Sequence, residues 1–237
     1  MRALLRWLAL VLCALLALQL FFVLRIAAMA VLDPQSTTFQ RSEAWALATG
    51  ETPFAWRQQW VPYDQISEHL KRAVIAAEDD GFALHAGVDW QAMERAWQRN
   101  ARLAAQPERL NARAPRIRGG STITQQLAKN LLLSGERTLV RKGQEMLLTF
   151  LLERLLTKQR ILEIYLNNVE WGSGIFGAEA AARHYHRKSA RQLGPAEAAR
   201  LAVMLPAPKR FEQQPGSAYL TGRTRLILGR MRSAQLP

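Results

Sequence analysis

A mainly α-helical domain preceded by one N-terminal transmembrane helix is the fold class that the sequence predicts, on three observations. An eighteen-residue apolar run stands near the N-terminus, apolar residues recur at spacings of three and four over most of the remainder, and strand-like alternation is nearly absent. Of 237 residues, 49% are apolar and 22% charged, with 14 Gly and 10 Pro, which excludes a disordered basic tail and a low-complexity polymer. The single cysteine, Cys13, excludes an intramolecular disulfide framework and a cysteine-rich metal cluster.

The apolar run from Trp7 to Leu24, WLALVLCALLALQLFFVL, is interrupted only by Gln19 and is long enough to span a bilayer with little tilt. Ala28-Met29-Ala30 resembles a signal cleavage site, but the run exceeds the ~7 to 15 residues of a cleaved signal, so a retained anchor over residues 1–30 is expected. Arg2 and Arg6 favour a cytoplasmic N-terminus, with Arg25 reducing the asymmetry. Residues 31–62 form a juxtamembrane lead-in with Pro34, Pro53 and Pro62 and with Trp45, Trp56 and Trp60, expected as a short strand and loop region.

Residues 63–237 then read as helix upon helix. Ile66, Leu70, Val74 and Ala77 share one helical face, and Trp90, Met93 and Trp97 another, with Asp89 as its N-cap. Ser121 is expected to cap a helix with the apolar line Ile123, Leu127 and Leu131. Thr138 is expected to cap the next, with Leu147, Leu151 and Leu155 as its line. A further helix carries Ile161, Ile164 and Tyr165, the segment from Trp171 to Gly177 breaks the periodicity, and Pro195 opens a helix that Pro206 ends.

The formal net charge is +13, and residues 31–237 carry 29 basic against 19 acidic side chains. More than half of that excess lies between Arg95 and Arg118, where seven arginines face Glu108 alone. For a domain beyond a bilayer this favours anionic headgroups or a phosphorylated lipid over nucleic acid, against the alternative of an ordinary solvated basic face. Substitution of Arg109, Arg113 and Arg116 by glutamine is expected to weaken binding to anionic membranes or raise KM.

Three constellations could carry chemistry. Glu78-Asp79-Asp80 ends an apolar helix, where carboxylates oppose the helix dipole; such a local conflict marks a candidate site. Like charge and desolvation should raise the pKa of Glu78, as a general base near neutral pH requires; the alternative is a solvated acidic helix end. Arg118-Gly119-Gly120-Ser121-Thr122-Ile-Thr-Gln125-Gln126 combines close backbone approach, a helix N-terminus and a cation, which suits a phosphate. Its helix sets Gln125 and Lys129 on one face and Gln126 and Asn130 on an adjoining one; a well-capped amphipathic helix is the other reading. The third runs from Arg137 to Glu145, where Arg141 and Lys142 are helical neighbours of Glu145 and favour its charged form. It reads either as a polyanion site or as a surface ion-pair cluster.

These motifs, in this order, together with Phe82, His85 and Gly87 and with Lys158-Gln-Arg-Ile-Leu-Glu-Ile-Tyr165-Leu-Asn167, resemble the peptidoglycan glycosyltransferases of bifunctional penicillin-binding proteins and monofunctional biosynthetic transglycosylases. The resemblance runs from about Val61 to Arg210. It implies a lysozyme-like helical lobe with a smaller lobe that dips into the membrane, and polymerisation of lipid II with inversion to a β-1,4 bond and release of undecaprenyl pyrophosphate. On matching positions it implies Glu78 as general base and Glu145 at the leaving pyrophosphate, directly or through a divalent ion. Lys129, Arg137, Arg141 and Lys142 match phosphate-associated positions, and Ser121, Gln125, Gln126 and Asn130 positions that shape the groove.

The resemblance also implies the bacterial inner membrane with a periplasmic domain, lipid II and lipid-linked glycan strands as partners beside other cell-wall synthesis or division proteins, and no nucleic acid. No cofactor is expected as obligatory, with Mg or Mn at the pyrophosphate left open. The chain departs from the pattern at Tyr185-His186-Arg187-Lys188, where many members have Tyr-Phe-Gly-Lys, and more loosely at Pro208-Lys209-Arg210-Phe211. No Ser-x-x-Lys occurs, so a monofunctional protein without a transpeptidase domain is expected. A glycosidase needs a protonated acid for its leaving group, whereas a pyrophosphate leaves as an anion and needs cations; Arg141 and Lys142 beside Glu145 therefore favour transfer from a diphosphate. A lysozyme-like glycan-cleaving enzyme and a non-catalytic lipid-binding scaffold are the alternatives.

Overall fold

The computed structural model of the chain describes residues 1–50, 55–104, 120–133, 135, 136 and 138–237. Arg118 and Arg137, with Arg109, Arg113 and Arg116 of the basic stretch, lie outside the described residues.

Helix α1 (Arg2–Ala28) is long and apolar enough to cross a membrane. Among the described residues its C-terminal part meets the domain: Phe22 and Ile26 are buried, and Gln19 exchanges two side-chain hydrogen bonds of 3.1 Å with Gln144. The polar residue of the span therefore has an amide partner, as a low-dielectric setting demands.

The lead-in departs from expectation. Residues Thr38–Thr49 form a helix, α2, closed by a capping box between Thr37 and Gln40. Its anchors are polar and invisible to apolar periodicity: Thr38 Oγ1 donates to the Leu131 carbonyl at 3.1 Å, and buried Gln40 donates to the Asn168 carbonyl at 3.4 Å. Strand β1 (Arg57–Gln58) follows, the part of the lead-in that is extended as expected.

Helices α3 (Glu68–Glu78), α9 (Pro195–Met204) and α11 (Ala218–Arg230) pack against one another. Leu70, Val74, Leu201, Leu220 and Ile227 are fully buried in the core. A second group joins α5 (Ile123–Leu132), α6 (Leu139–Leu155) and α7 (Lys158–Asn168). The apolar line Ile123, Leu127 and Leu131 is buried as expected. On α6 the buried line is instead Glu145, Leu148, Thr149 and Leu152, and Leu147 faces outward, because this helix is apolar on two sides and only one meets the domain.

Strands β2 (Glu170–Gly172) and β3 (Ile175–Phe176) complete a small sheet ordered β1-β3-β2, with β3 parallel to β1 and antiparallel to β2. The buried Trp171 indole donates to the Leu201 carbonyl at 3.0 Å and ties this sheet to α9. Helices α8 (Ala178–His186) and α10 (Pro208–Gln213) flank it. Asn167 locks the lead-in to α7 by exchanging two 2.9 Å hydrogen bonds with the Val61 backbone.

Helix α4 (Trp90–Ala104) forms where the spacing of Trp90, Met93 and Trp97 predicts it. Asp89 caps it, its carboxylate accepting from Ala92 N at 2.7 Å, yet Trp90, Met93 and Trp97 are exposed, Trp97 by 74%. Helical spacing of apolar residues reports an apolar neighbour without saying whether that neighbour is protein or lipid.

Candidate active site

The three consecutive acids at the end of α3 separate into three environments. Asp80 is exposed and pairs with Arg230 of α11 at 3.0 Å. Asp79 is buried: one oxygen meets His85 Nε2 at 2.8 Å and the other accepts from Ile123 N at 3.0 Å. It thus closes the loop after α3 and satisfies a free backbone donor at the start of α5, where a carboxylate is favoured by the helix dipole. Glu78 Oε2 accepts from Gln126 Nε2 at 2.8 Å. Burial raises the Glu78 pKa above the ordinary carboxylate value, and the Asp79 charge adds to it, while the Gln126 hydrogen bond and Arg223 act in the opposite direction. Both causes anticipated for a perturbed Glu78 are therefore present, with burial the larger.

The loop after α3 is held close against α5 and α6 at Gly87. Gly87 has φ of +86°, and a Cβ added there would lie 2.7 Å from Thr149 and 2.9 Å from Glu153, so glycine serves both conformation and space. Its carbonyl accepts from Thr122 Oγ1 at 2.6 Å. Thr122, and not Ser121, is the N-cap of α5: Thr122 accepts from Gln125 N, and Gln125 Oε1 accepts in return from Thr122 N at 3.0 Å. The reciprocal box needs an amide or carboxylate three residues on, which Gln125 supplies to Thr122 and Thr124 cannot supply to Ser121. Ser121 is left exposed at the helix entrance, and much of the Gln125 side chain is engaged in capping.

A cleft of about 810 Å³ opens beside α5. From α5 and its entrance it is lined by Ser121, Gln125, Gln126, Lys129 and Asn130, and from α6 by Arg141, Lys142 and Glu145. Glu145 is only 3% exposed, with Arg141 Nη1 at 2.9 Å on one oxygen and Lys142 Nζ on the other, the pairing that helical spacing anticipates. Arg141 Nε is buried and has no hydrogen-bond partner among the described residues. Glu78 is not in the cleft wall; Gln126 is, and its amide joins the two.

Sequence reasoning missed the opposite wall. Helix α2 contributes Thr38, Phe39, Ser42 and Glu43, and β2 contributes Glu170. Lys209 of α10 bonds to Glu43 and lies 3.4 Å from Glu170. Burial pushes the Glu170 pKa up to about 7, against the lowering effect of Lys209. The only signal was an acid set between Val169 and Trp171, both apolar. Tyr165, read as a core position, donates from its hydroxyl to Gln126 Oε1 at 3.0 Å.

The donor set does not fit a divalent ion held by the protein. Both oxygens of Glu145 are occupied by cations, and among the described residues no three His, Cys, Asp or Glu side chains converge.

A carboxylate with a raised pKa, linked by one amide to a cleft that presents Lys129, Arg141 and Lys142, is the layout of a group-transfer enzyme with an anionic substrate. Comparison with known proteins gives the family. The family model described as Transglycosylase matches residues 47–232. Proteins named biosynthetic peptidoglycan transglycosylase match nearly throughout. The one from Herminiimonas arsenicoxydans is 50% identical over 100% of this chain and 99% of its own. That from Paraburkholderia xenovorans (strain LB400) is 49% identical over 98% and 94%, and that from Burkholderia ambifaria (strain MC40-6) 51% identical over 94% and 86%. The chain belongs to the transglycosylase family.

Proposed function

We propose that this transglycosylase polymerises lipid II into glycan strands at the outer face of the bacterial inner membrane. The observation that carries this reading is the link, through Gln126, between a half-buried Glu78 of raised pKa and a cleft lined by Lys129, Arg141, Lys142 and Glu145. The names of the relatives support the same substrate class.

Glu78 takes the proton from the acceptor's GlcNAc 4-hydroxyl. That oxygen forms the new bond to the anomeric carbon of the lipid-linked chain as the bond from this carbon to the pyrophosphate breaks. The electron pair departs with undecaprenyl pyrophosphate, and in-line attack inverts the anomeric centre to a β-1,4 linkage. Because the leaving group is an anion, it needs charge compensation and no proton; Lys129, Arg141 and Lys142 supply it, with Glu145 holding the last two in place. A magnesium or manganese ion accompanying the diphosphate would add to the charge compensation these side chains supply.

Exposed surface supports the proposed membrane arrangement. Trp90, Met93 and Trp97 on α4 and Leu139 and Val140 at the start of α6 form apolar surface outside the core, and α1 packs on α6. Such surface suits a lobe that enters the bilayer interface, with tryptophan at headgroup level. Arg2 and Arg6 keep the N-terminus cytoplasmic and the domain periplasmic, beside other cell-wall synthesis or division proteins.

Purified full-length protein incubated with lipid II should yield long glycan chains, and Glu78→Gln should slow their formation at least about a thousandfold, the scale of a lost general base. Undiminished product from that variant would overturn the role of Glu78. Release of soluble fragments from preformed peptidoglycan without lipid II consumption would select a glycan-cleaving enzyme instead. In the same assay a chelator should reduce the rate less than about tenfold; abolition would assign a metal a larger part than the side chains allow.

A further inference from the structure

The geometry points to Tyr165 as a positioning residue for the base: through Gln126 it fixes which end of an amide faces Glu78. The inference rests on the polymerisation reading and adds a residue whose role the reaction leaves unassigned.

Tyr165 is 1% exposed in the middle of α7, and its hydroxyl has one hydrogen bond among the described residues, to Gln126 Oε1 at 3.0 Å. The other end of that amide, Nε2, donates to Glu78 Oε2 at 2.8 Å. The three side chains come from α7, α5 and α3, so no local spacing relates them. The two ends of a primary amide are nearly identical in shape, and its neighbours decide which way it points. An ionised Glu78 can only accept, so it requires Nε2. The carbonyl end then needs a donor on its other side, and Tyr165 supplies one.

Two features make the phenol a dependable donor. Burial and the Glu78 and Asp79 charges push its pKa well above the ordinary tyrosine value, so it stays protonated at any working pH. It is also enclosed, so water does not replace it. Take the hydroxyl away and the carbonyl end of Gln126 faces a buried ring without a donor. The reversed amide then competes, presenting its oxygen to Glu78, where it repels a carboxylate and accepts from a carboxylic acid. To the extent that the amide reverses, the protonated form of Glu78 gains over the ionised form. The charges that act on Glu78 from elsewhere are Asp79 beside it, which favours protonation, and Arg223 of α11, which favours ionisation. Neither would change when Tyr165 loses its hydroxyl.

The test is the pH dependence of lipid II polymerisation by the full-length protein with Tyr165→Phe. The acid limb of kcat should move to higher pH by about one unit, so that kcat at pH values well below the limb's midpoint falls about tenfold while KM changes less than twofold and the alkaline plateau approaches that of the unaltered chain. Tyr185→Phe removes a phenol that donates to the Trp171 carbonyl at 2.8 Å, and should leave the acid limb in place. If Tyr165→Phe fails to fold, Gln126→Leu is read by the same shift. An acid limb unmoved in a folded variant overturns the inference. Glu78→Gln run in parallel separates the two levels: activity retained there sinks the base assignment, whereas an inactive Glu78→Gln with an unmoved Tyr165→Phe limb sinks only the role of Tyr165.

Discussion

Glu78 and Glu145 are the same side chain in two opposite settings, and the contrast explains the division of labour between the two ends of the site. Glu78 closes α3 and receives one amide N–H, in surroundings that hold its proton affinity up. Glu145 sits in the second turn of α6, buried, with a cation on each oxygen. A carboxylate with spare proton affinity can accept a proton from a hydroxyl. One already engaged by two cations can only hold those cations still. On the proposed reading, burial beside an amide suits Glu78 to act as the base, and burial between two paired cations suits Glu145 to hold positive charge in place.

The contrast can be broken from either side. Loss of the base in Glu78→Gln is the largest expected effect. Glu145→Gln comes next: Arg141 and Lys142 lose the carboxylate that orients them, and kcat/KM should fall about a hundredfold, measured by initial rates on lipid II. A weaker perturbation concerns Glu170, a further buried acid that lines the cleft. Glu170 has a folded pKa of about 7, above the usual carboxylate value, so its contribution to stability is fully present below about pH 4.5 and is lost as pH rises through 7. Glu170→Gln should therefore raise Tm by ~3 °C at pH 8 and leave it unchanged near pH 4.5. Thermal unfolding followed by circular dichroism at the two pH values decides this. A higher Tm at low pH instead would show that Lys209 and Glu43 depend on the Glu170 carboxylate.

The smallest effect concerns the departure from Tyr-Phe-Gly-Lys. Arg187 occupies the left-handed C-cap of α8, with φ of 56° and ψ of 30°, a conformation that glycine adopts without strain. Arg187→Gly should raise Tm by about 2 °C with activity unchanged.

What was legible in the sequence was local. Arg141, Lys142 and Glu145 are separated by one helical turn, so their contact could be read before any fold was known. The buried line of α5 was equally plain, since one face of it is uniformly apolar. Three things were hidden, for different reasons. Helix α2 is held by Thr38 and Gln40, whose hydrogen bonds to distant carbonyls leave no periodic trace. The stripe Trp90, Met93 and Trp97 has the pattern of a core face although it lies outside the core. The connection from Glu78 through Gln126 to Tyr165 joins three helices, and only packing reveals it. The misplaced cap is instructive as well: serine and threonine stand side by side, and the choice between them lies in the residue three positions on.

The pH dependence of kcat for the unaltered chain and for Glu145→Gln tests the division of labour most directly. If Glu78 is the base and Glu145 the scaffold, Glu145→Gln lowers the rate at every pH and keeps the acid limb, with its midpoint above the ordinary carboxylate range. Disappearance of the acid limb in Glu145→Gln would contradict the account, because the titrating group would then be Glu145.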